Sequence, residues 1–222
     1  MSTVAFFDID KTLLAIHSGN AWVWSEYRKG FLSRRKLVEA LYGLVKYGLG
    51  LSSVEPMIRR AIDDYSGVLE SDISARTDVF FEQHIRRAIR PGAFRALRHH
   101  QALGHQRVIL SASTSYVAHQ LSEYLDLDGV ICTRLEVDST GCFTGRPIEP
   151  LCYGRGKITA AQLWLKRHGS CLDDAYFYTD SVTDLPMLRM VGHPVVVNPD
   201  IQLKRHAQRV DWPIVDWGLA PA

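Results

Sequence analysis

Two carboxylates follow the first apolar run of the chain. Asp8 and Asp10 come directly after residues 4–7, and Thr12 completes an Asp-x-Asp-x-Thr pattern. Polar residues at the carboxyl end of a buried strand face the crevice where open α/β sheets bind their ligands. Two carboxylates this close repel each other unless a cation lies between them, and hard oxygen ligands suit Mg²⁺. The pattern favours a magnesium site, although acidic turns that merely leave a strand are also common.

A second pair of acids follows a later apolar run. Asp180 and Asp184 come after residues 175–178. Because a carboxylate beside a buried strand end needs a partner, Asp180 is a candidate for the same site. Asp184 precedes Leu-Pro, so capping of a helix N-terminus is an equally good interpretation for it.

Hydroxyl and ammonium groups supply two further signals. Ser111 opens a Ser-Ala-Ser-Thr segment after residues 108–110, and we expect a turn there between a strand and a helix. Hydroxyls and helix N-terminal amides together bind phosphate well, although serine is also an ordinary helix cap. Lys157 begins a predicted helix, where its charge opposes the helix dipole unless it meets an anion. A solvated surface lysine is the simpler alternative.

Strand-like and helix-like segments alternate around these residues. We predict strands at 3–7, 108–110, 129–132, 175–178 and 195–197, and helices at 116–125, 157–168, 185–190 and 201–208. Such alternation predicts an α/β fold with a doubly wound parallel sheet, which we assign to residues 1–14 and 91–222. A β-hairpin over 134–144 is expected as a side feature of this domain. All four signals then fall on one edge of the sheet.

Residues 15–90 have a different pattern and predict an all-helical domain inserted after the first strand. Apolar residues repeat at helical spacing in two stretches. They are Leu37, Leu41, Leu44 and Val45, then Met57, Ile58, Ala61, Ile62 and Tyr65. The sequence Ser52-Ser53-Val54-Glu55 is a capping-box pattern ahead of the second stretch.

Composition excludes several classes of protein. Of 222 residues 46% are hydrophobic, which argues against disorder, and the net charge of +2 does not indicate nucleic acid or an anionic membrane as partner. No stretch approaches the ~20 apolar residues of a membrane span, so we expect no membrane insertion. The four cysteines form no Cys-x-x-Cys pair. We therefore predict a cytoplasmic protein.

In order and spacing, the four motifs resemble the haloacid-dehalogenase (HAD) superfamily of phosphohydrolases, in its phosphoserine-phosphatase-like branch. The matching positions are 8–12, Ser111, Lys157 and 180–184, and the helical insertion is similar to that branch's cap domain. The resemblance implies a Rossmann-like core and hydrolysis of a small phosphorylated metabolite.

The resemblance also implies roles for the acids. Asp8 would be the nucleophile that forms an aspartyl-phosphate, and Asp10 the general acid and then the general base. Mg²⁺ would be held by Asp8, the backbone carbonyl of Asp10 and Asp180, with Asp184 in support.

The phosphoryl group would be bound by residues from three motifs. Ser111 and Lys157 would contact its oxygens, and the Ala112 amide and Thr12 side chain are further candidates. The chain has Ala112-Ser113 where phosphoserine phosphatases usually have two glycines, and Thr183 where they usually have asparagine. Phosphoserine, histidinol phosphate and a lysophospholipid therefore all remain open as substrates.

Substrate specificity in such enzymes lies in the cap. His17, Glu26 and Arg59 are candidate contacts, and Trp22 and Trp24 are candidates to line the entrance.

Three alternatives to a phosphatase stay open at this point. One is a phosphotransferase that uses the same aspartyl-phosphate, and another is a non-catalytic metal- or phosphate-binding module. A nucleotide-sugar transferase with Asp-x-Asp as its metal site is the third, but it makes no use of Ser111 or Lys157. The oligomeric state is not predicted.

Overall fold

A computed structural model describes residues 3–48 and 54–219 of the chain. Within those residues, seven strands form one sheet in the order β4-β3-β2-β1-β5-β6-β7. They are β1 Val4–Phe7, β2 Gln106–Thr114, β3 Gly129–Val137, β4 Phe143–Ile148, β5 Tyr176–Thr179, β6 His193–Val197 and β7 Ile214–Val215. Neighbouring strands are parallel except for the antiparallel pair β3–β4.

The helices lie between the strands and in one long insertion. They are α1 Ser18–Arg28, α2 Arg34–Gly48, α3 Val54–Asp63, α4 Glu70–Phe80, α5 Pro91–Ala102, α6 Ser115–Tyr124, α7 Arg155–Arg167, α8 Leu185–Leu188 and α9 Ile201–Arg209. Helices α1 to α4 all fall between β1 and β2. The predicted fold class, a doubly wound sheet with an inserted helical cap, is confirmed.

The central strand β1 is buried on both faces, as its uninterrupted apolar sequence predicts. Alternate side chains of a strand point to opposite faces. Ala5 and Phe7 thus pack in one core cluster with α5 and α6, whereas Val4 and Phe6 pack in another with α7, α8 and α9. This double cover fixes β1 in the middle of the molecule and presents its carboxyl end at one edge.

The chain enters and leaves the helical insertion at adjacent points. Leu14 forms an antiparallel bridge with Ile89, and the Ala15 N–H donates to the Ala88 carbonyl at 2.7 Å. The division into residues 1–14 with 91–222, and 15–90, stays a prediction.

The insertion packs on the β3–β4 hairpin. Ile62 and Ile73 of the helices share a buried cluster with Leu135 and Phe143 of the hairpin. The Phe143 N–H also donates to the Val68 carbonyl at 2.9 Å. One flank of the cap is therefore joined to the sheet by both apolar contacts and backbone hydrogen bonds.

Two sequence predictions about the sheet and one about a helix are wrong in detail. The hairpin belongs to the main sheet, because β3 runs unbroken from Gly129 to Val137. The sequence did not indicate this continuity, since the polar but buried Thr133 interrupts the apolar pattern. Strand β2 extends to Thr114, so Ser111 lies within a strand instead of in a turn after it. Helix α8 ends at Leu188, two residues earlier than predicted.

The predicted apolar stripes of the cap are described only in part. Leu37 and Ile62 are buried as predicted, whereas Ala61 is exposed. The side chains of Leu41, Leu44 and Val45, and the capping residues Ser52 and Ser53, lie outside the described part of the structure. Among the described residues, no helix combines the length and apolar character needed to cross a bilayer.

Candidate active site

The candidate residues converge at the carboxyl edge of the sheet because their strands are neighbours. Strand β1 pairs with β2 on one side and with β5 on the other. Asp8 directly follows β1, Ser111 lies in β2, and Asp180 directly follows β5.

A buried ammonium group joins two of the acids. Lys157, in the first turn of α7, is 3% exposed. Its Nζ donates to Asp8 Oδ1 at 2.8 Å and to Asp184 Oδ2 at 2.7 Å. Burial alone would lower the pKa of Lys157, but Asp184 and Asp8 outweigh burial and raise it. Lys157 is therefore a permanent cation under the site and not a solvated surface lysine.

Asp8 is buried as well, and burial raises its pKa to about 6, with Lys157 opposing the rise. A carboxylate in such a place stays charged only beside a cation. The contact with Lys157 supplies that cation at one carboxylate oxygen.

Asp184 contacts the site and does not cap a helix through its side chain. It occupies the position before α8, yet its carboxylate makes no capping hydrogen bond. Asp184 Oδ2 instead accepts from Lys157 and from Thr179 Oγ1, the latter at 2.7 Å. The capping interpretation is wrong. Sequence reasoning missed Thr179, whose one signal is its place as the last residue of β5.

Asp180 lies beside the same group and is half-buried. Burial, with Asp8 and Asp184 nearby, raises its pKa to about 8. The fully buried Thr12 donates from Oγ1 to Asp180 Oδ1 at 3.3 Å. The hydroxyl of Thr12 is thus directed to an acid of the site.

Asp10 is held by the first helix of the insertion. Asp10 Oδ1 accepts from the backbone N–H of Ser18 at 2.9 Å, and Ser18 is the first residue of α1. Burial raises the pKa of Asp10, while hydrogen bonds from the hydroxyl and the N–H of Ser18, and the nearby His17, lower it. Sequence reasoning missed Ser18 because α1 was not among the individual helices predicted.

The Ser18 hydroxyl connects Asp10 with two serines of β2, Ser113 and Ser111. Ser111 Oγ accepts from the Ser113 N–H at 3.3 Å, and Ser113 Oγ lies 3.3 Å from Ser18 Oγ. Ala112 and Ser113 fall where the register between β2 and β3 shifts. The bulge takes the Ala112 backbone out of the regular ladder beside the acids.

The donor set fits Mg²⁺ by its chemistry. The available groups are carboxylate and carbonyl oxygens. Lys157 pairs with Asp8 and Asp184, whereas Asp180 forms no ion pair with any described residue and has its pKa raised to about 8. Among the described residues, no three His, Cys, Asp or Glu side chains are arranged to hold an ion by themselves. An ion here would therefore rest on Asp8, Asp180 and the Asp10 carbonyl, and Mg²⁺ commonly keeps several waters in such sites.

The structure does not place the predicted cap contacts together at this site. Arg59 pairs with Glu55 and Glu149 on the exposed surface. Glu26 is buried against Arg76, and Trp24 is 44% exposed.

Of the other two predicted cap residues, His17 lies beside the acids and Trp22 lies against the hairpin. His17 is exposed beside Asp10. Trp22 donates from Nε1 to the Tyr65 hydroxyl at 2.6 Å and packs against the cluster on the hairpin.

Comparison with family models matches residues 5–189 to the haloacid dehalogenase-like hydrolases. The chain belongs to this family. The match spans both acid pairs, Ser111 and Lys157, and therefore the whole candidate site.

Three relatives align over almost the whole chain. A Streptomyces azureus protein named inhibition of morphological differentiation protein is 34% identical over 97% of this chain and 78% of its own length. A Neisseria meningitidis serogroup C protein named histidinol-phosphatase is 28% identical over 98% of this chain and 100% of its own. A Mycobacterium tuberculosis protein named phosphoserine phosphatase is 29% identical over 99% of this chain and 72% of its own.

Two solved structures also align over almost the whole chain. A Bordetella pertussis protein of unknown function has 26% identity and a TM-score of 0.89, covering 98% of this chain and 100% of its own. A phosphoserine phosphatase solved as a phospho-aspartyl intermediate analogue has 17% identity and a TM-score of 0.71, covering 98% and 94%. At that identity the second likeness shows the fold alone.

Proposed function

We propose that this HAD-family hydrolase cleaves a small phosphomonoester through an aspartyl-phosphate on Asp8, with Mg²⁺ as cofactor. The class of enzyme, a phosphomonoester hydrolase, follows from the family and from relatives named as phosphatases. The observation that carries the mechanism is the contact of buried Lys157 with Asp8 and Asp184. A fixed cation beside an acid at the carboxyl edge of a sheet suits attack on a phosphorylated group.

In the first step a carboxylate oxygen of Asp8 attacks phosphorus, and the ester P–O bond breaks. Lys157 holds Asp8 Oδ1, which leaves Oδ2 to attack. The leaving oxygen takes a proton from Asp10, whose raised pKa favours the protonated acid that this step needs. In the second step Asp10 accepts a proton from water, water oxygen bonds to phosphorus, and the Asp8–phosphorus bond breaks to release phosphate.

The cofactor would be held by Asp8, Asp180 and the Asp10 carbonyl. When bound, Mg²⁺ supplies positive charge that offsets the charges of the carboxylates and of the phosphoryl oxygens. Asp184, through Lys157, and Thr12, through its bond to Asp180, position these groups.

Phosphoryl oxygens would be bound by Ser111, the Ala112 amide and Lys157. Ser111 is buried beside the bulge of β2, where the Ala112 backbone leaves the regular ladder. The direct phosphate contact proposed for Thr12 competes with its hydrogen bond to Asp180.

Two substrates are favoured by the relatives, phosphoserine and histidinol phosphate. The chain has Ala112-Ser113 where phosphoserine phosphatases usually have two glycines, which argues against phosphoserine and favours the second. A cytoplasmic location and the absence of a nucleic-acid partner remain predictions.

The decisive experiment is phosphate release from a panel of phosphomonoesters, with Mg²⁺ and with EDTA. Phosphoserine, histidinol phosphate, lysophosphatidate, sugar phosphates and nucleotides form the panel. We expect metal-dependent turnover that Asp8→Asn abolishes and that the exposed control Asp173→Asn retains. No release by folded protein in Mg²⁺ would contradict the proposal and favour a binding module, and release that requires an acceptor alcohol would favour a phosphotransferase.

A further inference from the structure

The end of the cap's first helical hairpin carries a surface that the proposed reaction does not use. Helices α1 and α2 pack against each other and are joined by residues 29–33. We name this end the tip surface. It comprises Trp24, Arg28, Lys29, Phe31, Arg34 and Val38, all exposed.

Positive charge is concentrated at the tip. Residues 28–36 contain five Lys and Arg and no Asp or Glu, although the whole chain has a net charge of only +2. Two of the five are neutralised, because Arg35 pairs with Glu39 and Lys36 with Asp64. Arg28, Lys29 and Arg34 form no ion pair with any residue of the described ranges. The surface thus presents three cations that have no ion-pair partner among the described residues.

Large apolar side chains are exposed between these cations. Phe31 is 60% exposed, Val38 64% and Trp24 44%. Trp24 lies one helical turn before Arg28, and Val38 one turn after Arg34, so each shares a helix face with a cation. Phe31 stands in the connecting loop, with the Arg76 guanidinium 4.5 Å from its ring.

A recess opens beside the tip. Its volume is about 350 Å³. It is lined by Ala21, Trp24, Ser25, Arg28 and His84. A polar headgroup would meet hydroxyl, imidazole and guanidinium groups there.

Cations mixed with exposed aromatic and aliphatic side chains are typical of protein surfaces that bind the interface of a bilayer. We propose that the tip surface docks on an anionic lipid membrane. Phe31, Trp24 and Val38 would contact the headgroup and upper acyl region, and Arg28, Lys29 and Arg34 the lipid phosphates. A single-stranded nucleic acid fits this surface less well than a membrane does, because Val38 offers no aromatic face on which a base can stack.

Docking at the tip would leave the catalytic edge open. Helix α1 begins beside Asp10 at Ser18 and ends at Arg28, and eleven residues of helix span about 16 Å. The membrane would therefore contact the end of α1 remote from the acids.

The test is co-sedimentation of the full chain with vesicles of phosphatidylcholine alone, or with phosphatidylglycerol replacing part of it. We expect binding only to the anionic vesicles, and weaker binding at high salt. Because each surface cation contributes about fivefold in affinity, Arg28→Glu/Lys29→Glu/Arg34→Glu should reduce binding at least ~100-fold. Phe31→Ser should also reduce it.

The matched control changes the same number of charges elsewhere. Lys204→Glu/Arg205→Glu/Arg209→Glu reverses three exposed cations of α9 and should retain most of the binding. Circular dichroism and turnover of a water-soluble phosphomonoester should be unchanged in all three variants. The proposal would be overturned by equal loss in the control or by no preference for anionic vesicles. Displacement by free glycerol phosphate, or binding of an oligonucleotide in place of vesicles, would overturn it as well.

Discussion

The Asp10 carboxylate accepts a hydrogen bond from the backbone N–H of Ser18, 2.9 Å away, at the first residue of α1. The first N–H groups of a helix have no partner within it, and an anion there is stabilised by the helix dipole. The proposed general acid is thus positioned by the cap's first helix, and the cap's position and the acid's orientation depend on one another.

Replacing Ser18 with proline tests that dependence. Proline is tolerated at the first position of a helix but has no N–H, so Ser18→Pro should keep α1 and displace Asp10. We expect kcat to fall roughly 10- to 100-fold with little change in KM, because the acid is misplaced for proton transfer. Ser18→Ala keeps the N–H but loses the hydroxyl, which also bonds to Asp10, so we expect a smaller fall in kcat than in Ser18→Pro. Equal losses in both variants would contradict this role of the N–H.

Removing the buried cation should destabilise the fold. Lys157→Met leaves Asp8 and Asp184 buried without their counter-charge, and we expect the free energy of unfolding to fall by about 3–5 kcal/mol. Urea denaturation measures this, with the exposed Lys166→Met on the same helix as control. Adding Asp184→Asn should recover part of the loss, and a decrease no larger than the control's would show that the contact contributes little.

Stability should decline in mild acid because of a buried histidine that is not part of the candidate site. His100 is fully buried, bonds to His105 and the Tyr178 hydroxyl, and has its pKa lowered to about 4 by burial and by neighbouring histidines. Below its ordinary value near 6.5 the unfolded chain binds a proton that the folded chain refuses. The contribution of neutral His100 to the free energy of unfolding is complete above about pH 6.5 and is lost as the pH falls towards 4.

The comparison that isolates this contribution is between His100→Gln and wild type. The variant should lose less stability than wild type between pH 7 and 4.5 in urea titrations, because it lacks the imidazole that takes up a proton on unfolding. The difference for one such group is at most about 3 kcal/mol. His119→Gln removes an exposed histidine and should follow the wild-type curve. Parallel curves for His100→Gln and wild type would show that His100 does not cause the decline.

Two glycines on helices should respond in opposite directions to alanine. A Cβ at Gly156 would lie 1.8 Å from the Leu151 carbonyl oxygen, so Gly156→Ala must shift the start of α7. We expect a loss of about 2 kcal/mol and reduced turnover, since Lys157 follows directly. Gly19 on α1 meets nothing within 4 Å, and Gly19→Ala should raise stability by about 0.5–1 kcal/mol. Thermal unfolding distinguishes the two, and equal shifts would refute the packing argument.

Patterns local in sequence predicted the described strands except β7, and most helices, since apolar runs report burial directly. Asp8, Asp180 and Lys157 were found because a charged group beside a buried run or at a helix start is costly without a partner. Partners distant in the chain were not predictable, as in the bond from Thr12 to Asp180 and the contact of Thr179 with Asp184.

Positions with two good local interpretations were also unpredictable. Asp184 has the sequence of a helix cap, and only the packing of α7 against the sheet directs it to Lys157 instead. Buried Thr133 broke an apolar pattern that the backbone of β3 continues through.

The pairing of Leu14 with Ile89 has a consequence for how such proteins diversify. Because the two ends of the helical segment lie side by side as antiparallel backbone, a turn of about two residues could join them directly. The strand order of the sheet does not depend on which segment connects these two residues. A different insert could be joined at this junction without changing the strand order, provided that its first helix still supplied the N–H that holds Asp10.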